Sequence, residues 1–524
     1  MTSVELGTNQ VTVLDLFAGC GGLTEGFHQY RPEGAAAPVF RTVGAVEWDR
    51  AAAASYAANF GAGSSRCGNF DPPEIVCRDI VGWEPKWSPG DIDVVVGGPP
   101  CQGFSGLNRE KVRAARNTLW QEFIRVVVAL QPRVFVIENV DRFLRSVEFK
   151  DLKERIGGAD LTNYRLVDPG SKPGETEWEH DRRYLLNAAN YGALQARRRA
   201  IVIGVRTDAE LRVDLLRYPK STHSRDVLRH KAELKGLDLP LGGEAPWETV
   251  DGLFAESSRM PIAADLPISD RKPVQGVDGN FAGPFLTTDL HIGRRPEAIS
   301  LSRYQAIPGN GNRKHLRGRY ACRFDDGGEI IIEKVGERRG SEGDLNVLDE
   351  HVVVVAGVAT RRRVIVRSIE AFDTAAEAGG RRSKSEKFRA VVSDDGVDRG
   401  AELEYLSTEA WDAHDAGAGD VMGRLRPGEP SVTVRTEFFK PEKGRYLHPS
   451  EDRPITHFEA ARLQGFPDDF RWCGSKLDIA KQIGNAVPVP LGRKIAESIY
   501  EYLSQPTDAR DAMQNPPSQG LERG

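Results

Sequence analysis

The sequence predicts an α/β protein: a doubly wound, largely parallel sheet with helices on both faces, joined to a second, smaller domain that is irregular and β-rich. Three observations carry this. Over roughly the first two hundred residues, short apolar runs alternate with helical patterns, the rhythm of repeated strand–loop–helix units. That rhythm stops after Arg206, and from there to about Arg453 the chain is rich in Gly, Pro and charge. Helical order returns near the C-terminus, where Leu491, Ile495, Ile499 and Tyr502 mark one apolar face.

The elements follow in order. Val11 to Phe17 is a strand stopped by Gly19, Gly21 and Gly22, and Leu23 to Tyr30 is the helix after it. Val43 to Glu47 is a second strand, followed by an alanine-rich helix from Arg50 to Phe60. Asp93 to Val96 is an apolar run closed by Gly97-Gly98-Pro99-Pro100. Leu119, Phe123, Val126, Val127 and Leu130 recur at helical spacing. Val134 to Ile137 and Ile201 to Val205 are further buried strands. Thr456-His457-Phe458-Glu459 has the form of a helix capping box.

Composition narrows the class. The chain has 524 residues, which favours two or more packed units, and 40% are hydrophobic, enough for a sizeable core. No run of about 18 uncharged apolar residues predicts a membrane helix, and Met1 to Gln10 lacks the pattern of a signal peptide. Six cysteines without a CxxC pair argue against a zinc or redox motif and fit a reducing compartment, so no metal is expected. The net charge of -5 excludes bulk attraction to nucleic acid but allows a local basic face. Asp289 to Arg319 holds seven Lys or Arg against two Asp or Glu, Arg361 to Arg389 nine against four, and Asp394 to Asp420 turns acidic with nine acids against one Arg.

Several residues stand at positions where chemistry is expected. The glycine-rich turn Asp15-Leu-Phe-Ala-Gly19-Cys-Gly21-Gly22-Leu23 lets a ligand approach the backbone and the helix start. Glu47, at the end of the next strand, can accept from both hydroxyls of a ribose, and Trp48 can cover an adenine. Asp79-Ile80 is placed to meet the adenine amino group. No phosphate-binding loop is present, so a nucleoside cofactor without phosphates fits better than NAD or ATP. Cys101 follows Pro99-Pro100 at a strand end, where open α/β sheets bind ligands. Most lone cysteines are merely small buried hydrophobes, but this setting is different. Glu138 ends another strand and faces the same crevice, and Arg197 and Arg199 share one face of the chain before Ile201.

Together these blocks resemble the DNA cytosine-5 methyltransferase family. The resemblance covers roughly Val11 to Val205 and Arg453 to Leu503. It rests on D-L-F-A-G-x-G-G, P-P-C-Q, E-N-V, Q-x-R-x-R, the run Arg462-Leu-Gln-Gly-Phe-Pro467 and the run Gln482-Ile-Gly-Asn-Ala-Val-Pro488, in the family's order and spacing. It implies the Rossmann-like fold of class I methyltransferases, S-adenosylmethionine as cofactor and sequence-specific double-stranded DNA as substrate. Cys101 matches the nucleophile that adds to C6 of a flipped cytosine, Glu138 the acid at N3, Arg199 the contact to O2, and Arg197 a support for Glu138 or the ring. Phe17, Ala18, Gly19, Gly21, Gly22, Leu23, Glu47, Trp48, Asp79, Ile80, Pro100, Leu119, Asn485 and Val487 match cofactor-contacting positions. Gln102 and Ser105 fall where the family meets DNA.

The resemblance also divides the chain. Residues 11–205 plus 482–504 form a discontinuous catalytic domain, 206–481 a target-recognition domain with an insertion at 317–420, and 1–10 and 505–524 are tails. Arg294, Arg295, Arg303, Asn310, Arg313 and Lys314 are the candidates for reading or gripping DNA, because major-groove readout uses such side chains. Arg361 to Arg389 would extend that contact, with the acidic stretch after Asp394 facing away from phosphates. Pro99 stands where the family usually has Phe, leaving a backbone carbonyl for the cytosine amino group. A monomeric bacterial or phage enzyme of the cytoplasm and nucleoid is expected, standing alone or with a cognate restriction endonuclease or defence system as a partner. The alternatives are an RNA cytosine methyltransferase, which would want a shorter second domain, and an inactive DNA-binding relative, which would want Cys101 or Glu138 lost.

Overall fold

The computed structural model describes residues 10–35, 37–67, 70–100, 111–158, 160–207, 215–233, 243–335, 348–371, 387–413 and 420–505. Apart from Gln10 and Gln505, both expected tails lie outside them.

An eight-stranded sheet forms the centre: β1 (Val11–Leu16), β2 (Phe40–Glu47), β3 (Glu74–Cys77), β4 (Val94–Gly97), β5 (Val134–Asn139), β6 (Tyr164–Leu166), β7 (Leu185–Asn187) and β8 (Arg198–Arg206). Their order is β3-β2-β1-β4-β5-β8-β6, with β7 also paired to β8. The Val-rich β4 is wholly buried, because helices cover both faces of the sheet. These include α1 (Gly22–Gln29), α2 (Arg50–Phe60) and α3 (Lys111–Leu130). Winding reverses between β1 and β4, so the loops after these two strands flank one crevice.

One expectation about the sheet is corrected. β1 to β5 are parallel, but β8 runs antiparallel to β5, with Glu138 opposite Ile201. The cause is local: β7 and β8 are themselves antiparallel, so β8 enters the sheet from the opposite end. The reversal brings the start of β8 to the edge where β5 ends, which is how arginines late in the domain reach Glu138.

The C-terminal helix Val489–Leu503 buries Leu491, Ile495, Ile499 and Tyr502 against Leu23, Phe27 and Val11. It therefore completes the layer that α1 begins. The capping box at Thr456 is formed, with Glu459 N donating to Thr456 Oγ1 and Thr456 N to Glu459. The helices His457–Leu463 and Lys476–Asn485 pack beside α2, where Ser55 Oγ donates to Gln482 Oε1 at 2.7 Å. Residues 456–481, placed in the second domain by the sequence, thus share a core with Tyr56 and Phe60 of the first.

The second region holds short helices and a closed barrel of six antiparallel strands: Arg319–Phe324, Glu329–Lys334, Glu350–Val355, Val358–Ala371, Lys387–Asp394 and Val397–Tyr405. It lies inside the expected insertion and has its own core, including Tyr320, Phe324, Ile332, Val366, Val392 and Leu403. Buried Arg319 anchors it, pairing with Glu333 at 2.8 Å and donating to the carbonyl of Gly357 at 2.9 Å and to that of Ala306. Several members of the charged stretches have partners within the barrel. Arg362 and Arg399 both pair with Asp394, Arg389 lies 3.1 Å from Asp325, and Arg367 lies 3.9 Å from Asp398. The acidic and basic segments are neighbouring strands, so their charges answer each other rather than separating.

Candidate active site

A cavity of about 760 Å³ opens at the switch point between β1 and β4. Its volume falls in the range of small-molecule sites. Phe17, Ala18, Gly19, Gly22, Leu23, Glu47, Trp48, Asp79, Ile80, Pro100, Leu119, Asn485 and Val487 line it, as do Glu138, Arg197 and Arg199. The fold thus gathers segments that are far apart in the chain. Gly21 is the exception among the cofactor candidates. A side chain there would meet Phe60 at 2.5 Å, and its φ of 95° is left-handed, so Gly21 serves the turn and its packing on α2.

Glu47 is nearly buried and holds the turn after β1 in place. Gly19 N donates to one carboxylate oxygen at 2.8 Å and Asp49 N to the other at 2.7 Å. Burial pushes its carboxyl up, and these N–H groups pull it back. Each oxygen keeps a lone pair for a ligand hydroxyl. Trp48 stands beside it with 76% of its surface exposed, an unusual state for the largest apolar side chain and one that suits a stacking face. Ile80 forms the buried opposite wall at 3% exposure.

Asp15 was not singled out from the sequence, yet it also lines the cavity. Its carboxylate accepts from Thr24 Oγ1 at 2.6 Å, and that hydroxyl lies 2.9 Å from Tyr56 OH. Burial pushes the Asp15 carboxyl up to about 7, against the Thr24 hydrogen bond and with the charge of Glu47 adding to the rise. Asp15, Glu47 and Asp79 line this end of the cavity with carboxyl groups, the reverse of a phosphate cradle. These carboxyl groups and the exposed Trp48 fit a nucleoside without phosphates, such as S-adenosylmethionine.

At the other end, Glu138 Oε1 lies 2.8 Å from Arg199 Nε, and both side chains are largely shielded. A side chain at Gly98 would come within 2.9 Å of the second Glu138 oxygen, so that oxygen faces the loop leading to Cys101. Asn139 Nδ2 donates to the Pro99 carbonyl at 2.9 Å and fixes the start of that loop. The carbonyl that the sequence left open for a base is therefore already holding one donor, with its other lone pair remaining. Pro100 lines the cavity, while Cys101, Gln102 and Ser105 lie outside the described residues.

Arg197 differs from its expected part. It makes no hydrogen bond to Glu138; its two terminal nitrogens donate to the carbonyls of Val434 at 2.7 Å and Gly484 at 2.8 Å. Gln195, two residues earlier, accepts from Val434 N at 2.7 Å and donates to Gln464 Oε1 at 2.8 Å. Gln195, Gln464 and Gln482 belong to the family blocks in the sequence, but nothing local shows that they bind one another's segments.

The candidates for DNA contact separate into two groups. Arg313 is 5% exposed and donates to the Trp411 carbonyl, and Arg303 Nε donates to the Leu406 carbonyl at 2.8 Å while stacking on Trp411. Both brace the barrel's return, which corrects their expected role as readers. Arg294 is drawn to the Phe439 carbonyl and Glu442. Arg295, Asn310 and Lys314 are exposed. Among the described residues no group of three or more His, Cys, Asp or Glu is placed to hold a metal, and no helix is long and apolar enough to cross a membrane.

A cavity at the switch point of a doubly wound sheet, with a strand-end Glu–Arg pair beside it, belongs to a methyltransferase-like fold. The family model for C-5 cytosine-specific DNA methylases matches residues 11–238 and 366–501, and the chain belongs to that family. The part left unmatched includes the first strands of the barrel. Among relatives, DNA (cytosine-5)-methyltransferase 1 of Gallus gallus is 28% identical over 94% of this chain, which spans 30% of that protein's length. Type II methyltransferase M.AgeI of Thalassovita gelatinovora is 28% identical over 94% of this chain and 99% of its own. Type II methyltransferase M.XorII of Xanthomonas oryzae pv. oryzae is also 28% identical, over 94% of this chain and 84% of its own.

Proposed function

We propose that this chain is a sequence-specific DNA cytosine-5 methyltransferase that uses S-adenosylmethionine. The observation that carries the proposal is the Glu138–Arg199 pair, set on one cavity with Glu47 and Trp48 and one loop away from Cys101. When bound, the cofactor supplies an electrophilic methyl group on a sulfonium.

Cytosine C5 is a poor nucleophile until electrons are pushed into the ring. The Cys101 thiolate adds at C6, and Glu138 donates a proton at N3, where the charge created by addition collects. Arg199 holds Glu138 in place and presents its remaining N–H groups to O2 of the base. C5 takes the methyl group, then loses its proton to a base as the Cys101–C6 bond breaks and the N3 proton returns to Glu138. An ordinary thiol has a pKa of about 8.5, so the Arg199 guanidinium at this end of the cavity would favour the thiolate. A base inside a duplex cannot reach this cavity, so the target is flipped out.

The division into a catalytic domain of residues 11–205 plus 482–504 and a recognition region of 206–481 belongs to the same proposal, as does a cytoplasmic setting beside a restriction endonuclease. Two of the relatives are named type II methyltransferases, which supports that setting. Bisulfite sequencing of DNA from cells expressing the chain tests the function. The expected result is 5-methylcytosine at one short recurring site. Unmodified cytosine throughout, from a folded and cofactor-loaded protein, counts against it.

A further inference from the structure

Arg197 presents a problem that the proposed chemistry leaves unsolved. It is buried to 1% exposure, its guanidinium meets two carbonyls and no carboxylate, and its Nε has no hydrogen-bond partner. A buried cation without a bonded anion is costly, and a neutral side chain would fill the space more cheaply. What the arginine achieves is a bridge. Val434 lies in the segment 431–436, which comes from the second region, and Gly484 lies near the end of the helix Lys476–Asn485, where Asn485, Ala486 and Val487 line the cavity.

The surrounding bonds tie the same two segments. Ala196 N donates to the Ser431 carbonyl at 2.9 Å and Ser431 N to the Leu194 carbonyl at 2.8 Å. Gln464, which accepts from Gln195, donates to the carbonyl of Ile483 at 2.5 Å. The backbone of Arg435 and Thr436 sits so close on Gly484 that a side chain there would meet Thr436 N at 2.3 Å. Arg435 is exposed, and among the described residues its guanidinium has no carboxylate or carbonyl partner. That leaves it available for a DNA phosphate, on a segment whose backbone touches Gly484 of the cavity wall.

We propose that Arg197 is a positioning residue that couples the two substrates: cofactor against residues 484–487 fixes the 431–436 segment, and with it Arg435, in the geometry that grips DNA. The inference rests on the proposed function, and linkage makes the effect reciprocal, so DNA tightens the cofactor by the same factor. Lysine cannot replace this arginine, because one ammonium on a flexible stem does not span two carbonyls held by a planar fork.

The test measures binding of a duplex carrying the methylation site, with and without S-adenosylhomocysteine, for the wild type and for Arg197→Lys. The wild type should bind DNA at least fivefold tighter with S-adenosylhomocysteine, the lower end of typical couplings. In R197K the factor should fall toward one. A wild-type factor of one, or an unchanged factor in R197K, overturns the proposal. If R197K does not fold, amide hydrogen exchange on the wild type decides. Exchange across 431–436 should slow on adding S-adenosylhomocysteine, and equal exchange overturns the coupling. A wild type that binds neither S-adenosylhomocysteine nor DNA would instead remove the functional proposal on which this one rests.

Discussion

Glu138 Oε1 and Arg199 Nε are 2.8 Å apart although they come from strands that run in opposite directions. The pair forms because β8 begins where β5 ends, and it leaves one Glu138 oxygen facing the nucleophile loop. Glu138→Gln keeps the shape but cannot deliver the proton at N3. Methylation should fall by about 10²–10⁴, the usual scale of general acid catalysis, with cofactor affinity within threefold of wild type. Single-turnover methyl transfer and calorimetry check this, and a loss below tenfold removes Glu138 from the acid's role.

Cys101→Ser should abolish methylation while cofactor binding persists, because the cysteine meets the base rather than the nucleoside. DNA with 5-fluorocytosine at the target should trap the wild type covalently, since fluorine cannot leave C5 as a proton would. The absence of a denaturant-resistant complex, with methyl transfer demonstrated on ordinary DNA, rules out addition by Cys101.

Glu47 and Trp48 divide the cofactor end between them. Trp48→Ala removes a stacking face and should weaken cofactor binding by about 1–3 kcal/mol. Glu47→Ala should cost at least as much, at about 1–3 kcal/mol for the missing hydrogen bonds, because the carboxylate also organises the amides of Gly19 and Asp49. Calorimetry giving unchanged affinity in both variants places the nucleoside elsewhere.

Asp15 should make stability depend on pH in a direction opposite to that of a salt-bridged carboxylate. Its folded pKa is raised to about 7 from 3.8, so the folded state holds a proton that the unfolded state releases. The group costs nothing below 3.8, costs progressively more as pH rises from 3.8 to 7, and has its full effect above 7. Full expression of the shift is about 4 kcal/mol at 1.36 kcal/mol per pH unit, an upper bound. Asp15→Asn removes this cost, so wild type should lose stability relative to D15N between about pH 4 and pH 8. Denaturant unfolding at both values measures it, and parallel pH profiles for the two proteins contradict the burial argument.

What the sequence made legible was set by the sheet. Glu47 and Glu138 each stand at the end of an apolar run, and the crevice of a doubly wound fold lies where such runs end, so local pattern sufficed to place these two on the cavity. The partners of Arg197 lie 237 and 287 residues away in the chain, and no spacing rule reaches them. Charge counting misjudged Arg303 and Arg313, because a basic composition does not distinguish an arginine facing solvent from one capping carbonyls under Trp411. The barrel escaped notice for a related reason. Arg361, Arg362 and Arg363 read as a charge run, although Val364 and Val366 in the same strand point into its core.

If the second region reads the target sequence, as proposed, few of its basic side chains are placed to do so. Arg303 and Arg313 are committed to the barrel's return, and the arginines of the barrel strands pair with Asp394, Asp325 and Asp398. Exposed Arg295, Asn310 and Lys314 remain available, with exposed Arg435 on the segment that touches Gly484. Base readout needs side chains of these types within reach of the major groove, and each good bidentate contact discriminates by about 1–3 kcal/mol. Replacing 206–453 by the matching region of M.AgeI should therefore change which cytosines are methylated while the chemistry survives. The exchanged piece must still present backbone groups equivalent to Val434 N and O to Gln195 and Arg197, or the cavity loses its wall. Within the unexchanged protein, Lys314→Ala and Arg295→Ala should separate the two kinds of contact. Removing a side chain that grips phosphate lowers the salt dependence of DNA binding by about one unit of log–log slope and leaves the site unchanged. Removing one that reads a base relaxes one position of the site instead. Bisulfite sequencing reads the site and fluorescence titration in graded salt reads the slope. An active chimera with the wild-type site pattern would place recognition outside 206–453.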